Sequence, residues 1–195
     1  MDMAEDTTTS LPVALVVDDE KEVADAYALR LRGICDVETV YNGPSALEVL
    51  SEKTVDLMLL DRHMPGMSGD EVLEELNNRD YDGRVVMVTA IDPGFDVLDM
   101  PFDDYLCKPV DREDIREVIG HQSTILGYKL LGEYFSAESK RQVITAEVDA
   151  ERRADHDEYQ RIATHARQLE QRARRLIDES PDLLAEFDAV DREGR

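Results

Sequence analysis

The 195-residue chain has no tryptophan, only two cysteines, five lysines and no apolar run long enough to cross a bilayer. Each shortage excludes something. Cys35 and Cys107 offer neither a disulfide framework nor metal-ligand spacing, so both read as small buried or half-buried fillers in a reducing compartment. With no stretch approaching about 18 apolar residues there is no membrane span. The acidic, polar opening Met1 to Ser10 is not a signal peptide and reads as a disordered leader over residues 1–11. A soluble, cytoplasmic protein without a membrane partner is the expectation. Positive charge is scarce as well: 22 Lys and Arg stand against 45 Asp and Glu, for a formal net charge of -23. Such a surface repels nucleic acid and anionic membrane at ordinary salt. Excess carboxylate with few lysines suits a chain dissolved in concentrated salt, where counter-ions screen the self-repulsion. In that setting acidity no longer argues strongly against DNA.

What is present is enough to fold, since 42% of the residues are hydrophobic. From residue 12 to 119, short apolar or β-branched runs alternate with amphipathic stretches. Val13 to Val17, Val37 to Val40, Val55 to Leu60, Arg84 to Val88 and Asp104 to Cys107 read as strands. Glu20 to Arg32, Gly43 to Ser51, Ser68 to Arg79, a short Pro93 to Met100 segment and Asp111 to Ile119 read as the helices between and after them. Ser68 three residues before Glu71 is a capping box. Five strands each followed by a helix predict an α/β fold, an open, doubly wound, five-stranded parallel sheet with helices on both faces.

Beyond about residue 120 no strand-like run recurs. Two helical segments are expected, 121–148 and 151–178, with residues 120–188 as a second domain and 189–195 as a frayed tail. Positions 155, 159, 162, 166, 169, 173 and 176 keep three-four spacing, a short heptad seam that suits a helical hairpin or a coiled coil. Pro181 stops it, and Leu183, Leu184 and Phe187 supply one last helical turn. The charge divides at the same place: residues 1–118 carry 29 acidic and 10 basic side chains, residues 119–195 carry 16 and 12.

In a doubly wound sheet, ligands bind beyond the carboxyl ends of the strands. Asp18 and Asp19 close the first strand, Asp61 the third and Thr89 the fourth, and Lys108 follows the fifth. Carboxylates crowded at one edge repel unless a cation sits among them, and three oxygen ligands with room for water suit Mg²⁺. Lys108 and the Thr89 hydroxyl beside that cluster are what a transferred phosphoryl group would meet, with Asp61 as nucleophile.

The blocks Asp18-Asp19-Glu20, Asp61-Arg62-His63-Met64-Pro65-Gly66, Thr89-Ala90 and Tyr105-Leu106-Cys107-Lys108-Pro109 resemble the signature of the response-regulator receiver domain, the CheY-like, flavodoxin-like partner of sensor histidine kinases. The resemblance implies a switch and not a metabolic enzyme. Asp61 would take a phosphoryl group from a phosphohistidine donor. Mg²⁺ would be held by Asp18 or Asp19, by Asp61 and by the backbone carbonyl of His63. Lys108 would hold the phosphoryl group, the Lys108–Pro109 peptide would be cis, and Thr89 and Tyr105 would form the switch pair. Arg62 would reach the phosphoryl group or extend into solvent.

Tyr128 to Lys140 resembles the start of the HalX domain, a helical module that follows receivers in halophilic archaea. It implies a transcriptional or signalling output. Burying the apolar stripes of such helices requires hairpin packing or self-association, so a homodimer is expected. Arg167, Arg172, Arg174 and Arg175 are candidate nucleic-acid contacts; a solvated helix face is the other reading of the same arginines. Control of transcription through DNA is the leading output, and an adaptor whose helices bind a protein partner is the alternative. His156 and His165 read as surface residues.

Overall fold

The computed structural model describes residues 10–90, 93–177 and 182–185. Most of the expected leader, Pro181, Phe187 and the tail from 189 to 195 lie outside the described residues. The chain divides into two compact units, with the division between Ser123 and Thr124.

In the first unit, β1 (Val13–Val17), β2 (Asp36–Val40), β3 (Leu57–Asp61), β4 (Arg84–Thr89) and β5 (Asp104–Cys107) form one parallel sheet in the order β2-β1-β3-β4-β5. The strands are apolar on both faces because both faces are covered. Ala14, Val16, Leu57, Leu59, Val86 and Val88 point to one side. There they meet Ala24, Tyr27 and Leu31 of α1 (Lys21–Leu31), together with Ile115 and Ile119. Leu15, Val17, Met58, Leu60, Val85 and Met87 point to the other side, under α2 (Gly43–Glu52) and α3 (Gly69–Asn78). Each large aliphatic side chain buried this way contributes roughly 1.5–3 kcal/mol, which is why the alternation is obeyed on three neighbouring strands. The capping box at α3 is formed: Ser68 accepts from the backbone of Glu71, and the Glu71 carboxylate accepts from the backbone of Ser68.

Four expectations are corrected, the last of them in the second unit. The helix expected between Pro93 and Pro101 is only a 3-10 segment, Phe95–Asp99, because the flanking prolines leave too little chain for a stable α-helix. It leaves Phe95 92% and Leu98 76% exposed. The helices expected at 111–119 and 121–148 are one helix, α4 (Arg112–Glu147), which runs through Gly120 without a break. Cys107 is exposed, since it ends an edge strand with no neighbour beyond it, whereas Cys35 is buried as expected.

In the second unit, α4 is followed by α5 (Ala150–Ala154) and α6 (Asp157–Leu176). The expected continuous helix over 151–178 is therefore interrupted at Asp155 and His156, where extended His156 caps α6 and its ring accepts from the backbone of Tyr159. Leu126, Leu130, Leu131, Tyr134 and Ala137 of α4 share a core with Ala166, Leu169, Ala173 and Leu176 of α6. Gly127 lies against Ile177, and Thr145 bonds to Tyr159, so the two helices run antiparallel as a hairpin. The heptad seam is buried within the chain, from Ala166 to Leu176.

Candidate functional site

Strand register brings the candidate residues to one edge. Val17 pairs with Leu60, Asp61 with Val88, and Thr89 with Cys107, so Asp18, Asp61, Thr89 and Lys108 all emerge at the carboxyl ends. β1 has its sequence neighbour β2 on one side and β3 on the other, and the crevice at this reversal lies where Asp18 and Asp61 meet.

The carboxylates of Asp18, Asp19 and Asp61 each offer an oxygen within 4.8 Å of the others. Lys108 spans two of them, its Nζ lying 2.8 Å from Asp18 Oδ2 and 2.9 Å from Asp61 Oδ1. The second oxygens are also engaged: Asp18 Oδ1 accepts from the backbone N–H of Glu20 and Asp61 Oδ2 from that of His63. Asp18 and Asp61 are buried, at 1% and 6% exposure. Burial raises the pKa of Asp18, and the Asp61 charge adds to this, against the hydrogen bond and charge of Lys108 and the Glu20 N–H. For Lys108 burial works against its charge, but its hydrogen bonds to Asp18 and Asp61 overcome it and the ammonium is held above its ordinary value.

One half-buried cation shared by two buried carboxylates, with a third carboxylate alongside, is an incompletely neutralised cluster. An oxygen-only donor set of this kind fits a hard divalent cation such as Mg²⁺. His63 takes part through its backbone N–H to Asp61. Thr89 is buried, and its backbone carbonyl accepts from the Lys108 N–H, which ties the end of β4 to the lysine. Tyr105 is half-buried, its ring 5.5 Å from that of Phe102 and packed on the α2–α3 face of the sheet. The Lys108–Pro109 peptide is cis.

Two features escaped sequence reading. Arg62 forms a forked pair with Asp70 on α3, at 3.1 and 3.2 Å. A side chain on Gly69 would collide with the Asp61 carbonyl and Arg62 Cα, so glycine lets α3 start against the backbone of the acidic residue. Neither contact has a sequence signal, since each depends on how the loop after β3 folds back.

Arg167, Arg172, Arg174 and Arg175 lie on α6, in the second unit, and do not form a single open face. Arg167 and Arg174 are exposed, while Arg172 and Arg175 are half-buried. Arg174 pairs with Glu170 at 2.8 Å, and Arg167 bonds to the Ala163 carbonyl and the Thr164 hydroxyl.

A five-stranded parallel sheet with an aspartate triad and a lysine at its carboxyl edge defines a CheY-like receiver, with the phosphoacceptor site typical of two-component signalling. The chain belongs to the response-regulator receiver family: residues 14–120 match the response regulator receiver domain, and residues 124–191 match the HalX domain. Members of this family act as phosphorelay switches and not as catalytic enzymes, and their partners are sensor histidine kinases. A Haloferax volcanii protein named as a candidate transcriptional regulator is 45% identical over 129 residues, covering 65% of this chain and 22% of that protein. The chain spans less than half the length of the curated relatives it matches. Among solved structures, a CheY-like receiver domain protein from Methanospirillum hungatei is 28% identical, with a TM-score of 0.54, covering 58% of this chain and 94% of that one. The response regulator TrrA of Thermotoga maritima, solved with Mg²⁺ and BeF, is 27% identical, with a TM-score of 0.50, covering 57% and 99%. No helix among the described residues is long and apolar enough to cross a membrane.

Proposed function

We propose that the chain is a two-component response regulator that accepts a phosphoryl group on Asp61 and controls transcription through its HalX domain. The observation that carries this reading is the Lys108 bridge between Asp18 and Asp61 at the carboxyl edge of the sheet. An Asp61 carboxylate oxygen attacks the phosphorus of a phosphohistidine on the sensor kinase; the P–N bond breaks as the P–O bond forms, and the imidazole leaves. Asp18, Asp19, Asp61 and the carbonyl of His63 would hold Mg²⁺, which neutralises charge on the phosphoryl oxygens when bound. Lys108, already at Asp61 Oδ1, moves its hydrogen bond to a phosphoryl oxygen. The Thr89 hydroxyl donates to another, and Tyr105 turns into the space that Thr89 leaves.

Control of transcription is supported by the name of the Haloferax relative and by the HalX match. A second reading, a protein-binding adaptor that touches no DNA, is supported by the arginines of α6, two of which are spent on intrahelical partners. Self-association belongs to either reading. With the hairpin seam covered within the chain, a dimer would use other apolar side chains such as Ile125 and Tyr128, which are 38% and 49% exposed. Selection of a randomised DNA library by the beryllofluoride-activated chain in about 2 M KCl separates the two outputs, because counter-ion release no longer drives non-specific binding there. A transcriptional regulator enriches a sequence motif. A folded, phosphoryl-competent chain that enriches none is the adaptor.

A further inference from the structure

Within the second unit, the last turns of α4, the short α5 and the first turns of α6 form a half-open pocket of about 510 Å³. That volume falls in the range of small-molecule sites. Its wall is apolar: Ile144, Val148, Ile162 and the body of Tyr159 line it, and Ile144 is left 43% exposed. Its rim is cationic, made by Lys140, Arg141, Arg152 and Arg153, with Glu158 the one acid among the lining residues. In a chain of net charge -23, this is a local reversal of sign.

The four cations divide into two pairs. Arg141 is held by a forked pair to Glu138 at 2.6 and 2.7 Å, and Arg153 by the Val148 carbonyl at 2.9 Å. Both also reach the Tyr159 hydroxyl, which Thr145 contacts at 2.8 Å. They are fixed parts of the rim. The side chains of Lys140 and Arg152 form no hydrogen bond or ion pair with any described residue, and both residues are exposed. The phenol of Tyr159 reports the local field. Burial pushes its pKa up, but the hydrogen bonds from Thr145, Arg153 and Arg141 outweigh it and hold the phenol below its usual value. Negative oxygen is favoured in this corner.

We propose that this cavity binds a small organic anion, a carboxylate or phosphate on an aliphatic or aromatic body, with its head between Lys140 and Arg152 and its body on Ile144, Val148 and Ile162. Apolar walls alone would take a neutral body, and a cationic rim alone would take inorganic phosphate; the combination selects a molecule with both parts. The proposal rests on the second unit alone and is independent of phosphoryl transfer to Asp61.

Anilinonaphthalene sulfonate, itself an apolar anion, serves as the probe with the full chain in about 2 M KCl, where diffuse charge attraction is screened. Saturable binding of one dye per chain is expected. Octanoate should displace it at least about tenfold better than octanol or inorganic phosphate. Replacing Lys140 and Arg152 together by Ala should weaken dye binding by at least about tenfold with the helical circular dichroism unchanged. If that variant loses helicity, Arg152→Glu alone carries the same expectation. The proposal is overturned by dye binding that does not saturate, by undiminished binding to the variants, or by equal displacement by octanol or by phosphate.

Discussion

Lys108 stands between two buried carboxylates that would otherwise repel each other, and its ammonium, 2.8 and 2.9 Å from them, keeps the Asp18–Asp61 crevice intact before any phosphoryl group arrives. These residues were legible in the sequence because each apolar strand run stops at the polar residue that matters: Val17 before Asp18, Leu60 before Asp61, Val88 before Thr89. The cysteines were only half legible. An apolar run shows that a residue belongs to a strand, but not whether a further strand lies beyond it, so the exposure of Cys107 on the sheet edge had no local signal. The two thiols should differ sharply in chemistry. Burial pushes the Cys35 thiol up to about 12, which removes its thiolate at neutral pH, while Cys107 is open to solvent. Iodoacetamide at about pH 8 should therefore modify one thiol per native chain, lost in Cys107→Ala, and two per unfolded chain. Rapid modification of both thiols in the native state would contradict this. The raised value also carries a sign for stability: between the ordinary 9.0 and about 12 the folded chain keeps a proton that the unfolded chain releases. Cys35 therefore adds a loss of stability as pH rises through that interval.

The elements were legible in proportion to how local their causes are. The capping box that starts α3 is written in four consecutive residues, Ser68 to Glu71, and it forms as read. The continuity of α4 is not local. Gly120 reads as a break, yet a single glycine costs a helix only about 1 kcal/mol, and burial of Ile115, Ile119, Leu126 and Leu130 outweighs that. The division of α5 from α6 was missed for the opposite reason, because the three-four spacing starts at Asp155 and reads as helical the very place where α5 ends and the extended His156 begins α6. Gln122 shows a second non-local cause. It is buried, accepts from Arg84 Nε at 2.9 Å and donates to Asp104 Oδ2 at 2.8 Å, while Arg84 also pairs with Asp103. This network fastens α4 to the amino-terminal ends of β4 and β5, the latter one residue before Tyr105. Gln122→Ala should lower unfolding stability by about 1–3 kcal/mol, since two half-buried charged partners, Arg84 and Asp104, lose their hydrogen bonds to a buried amide. Denaturant titration at fixed salt measures this, and a midpoint equal to that of the unaltered chain would show that the network contributes nothing.

At the scale of the whole molecule, the net charge of -23 sets the conditions under which the fold is stable. The negative charge is concentrated in the sheet-bearing part of the sequence, and packing it together is opposed by repulsion that salt screens over about 10 Å at 0.1 M and about 3 Å at 1 M. The unfolding temperature should therefore rise as KCl is raised from about 0.1 M to about 2 M. A flat or falling curve would mean that the acidic surface serves solubility alone. Composition made this much legible; it could not place Lys140 and Arg152 beside an apolar cavity, because that depends on where α4 ends and how α6 returns. The central claim is that Asp61 accepts phosphoryl groups, and the most direct test is phosphoryl incorporation from acetyl phosphate with Mg²⁺, read by intact mass for the unaltered chain and for Asp61→Asn. The account predicts a single added phosphoryl group on the unaltered chain and none on the variant. Incorporation into Asp61→Asn at the unaltered level would contradict it.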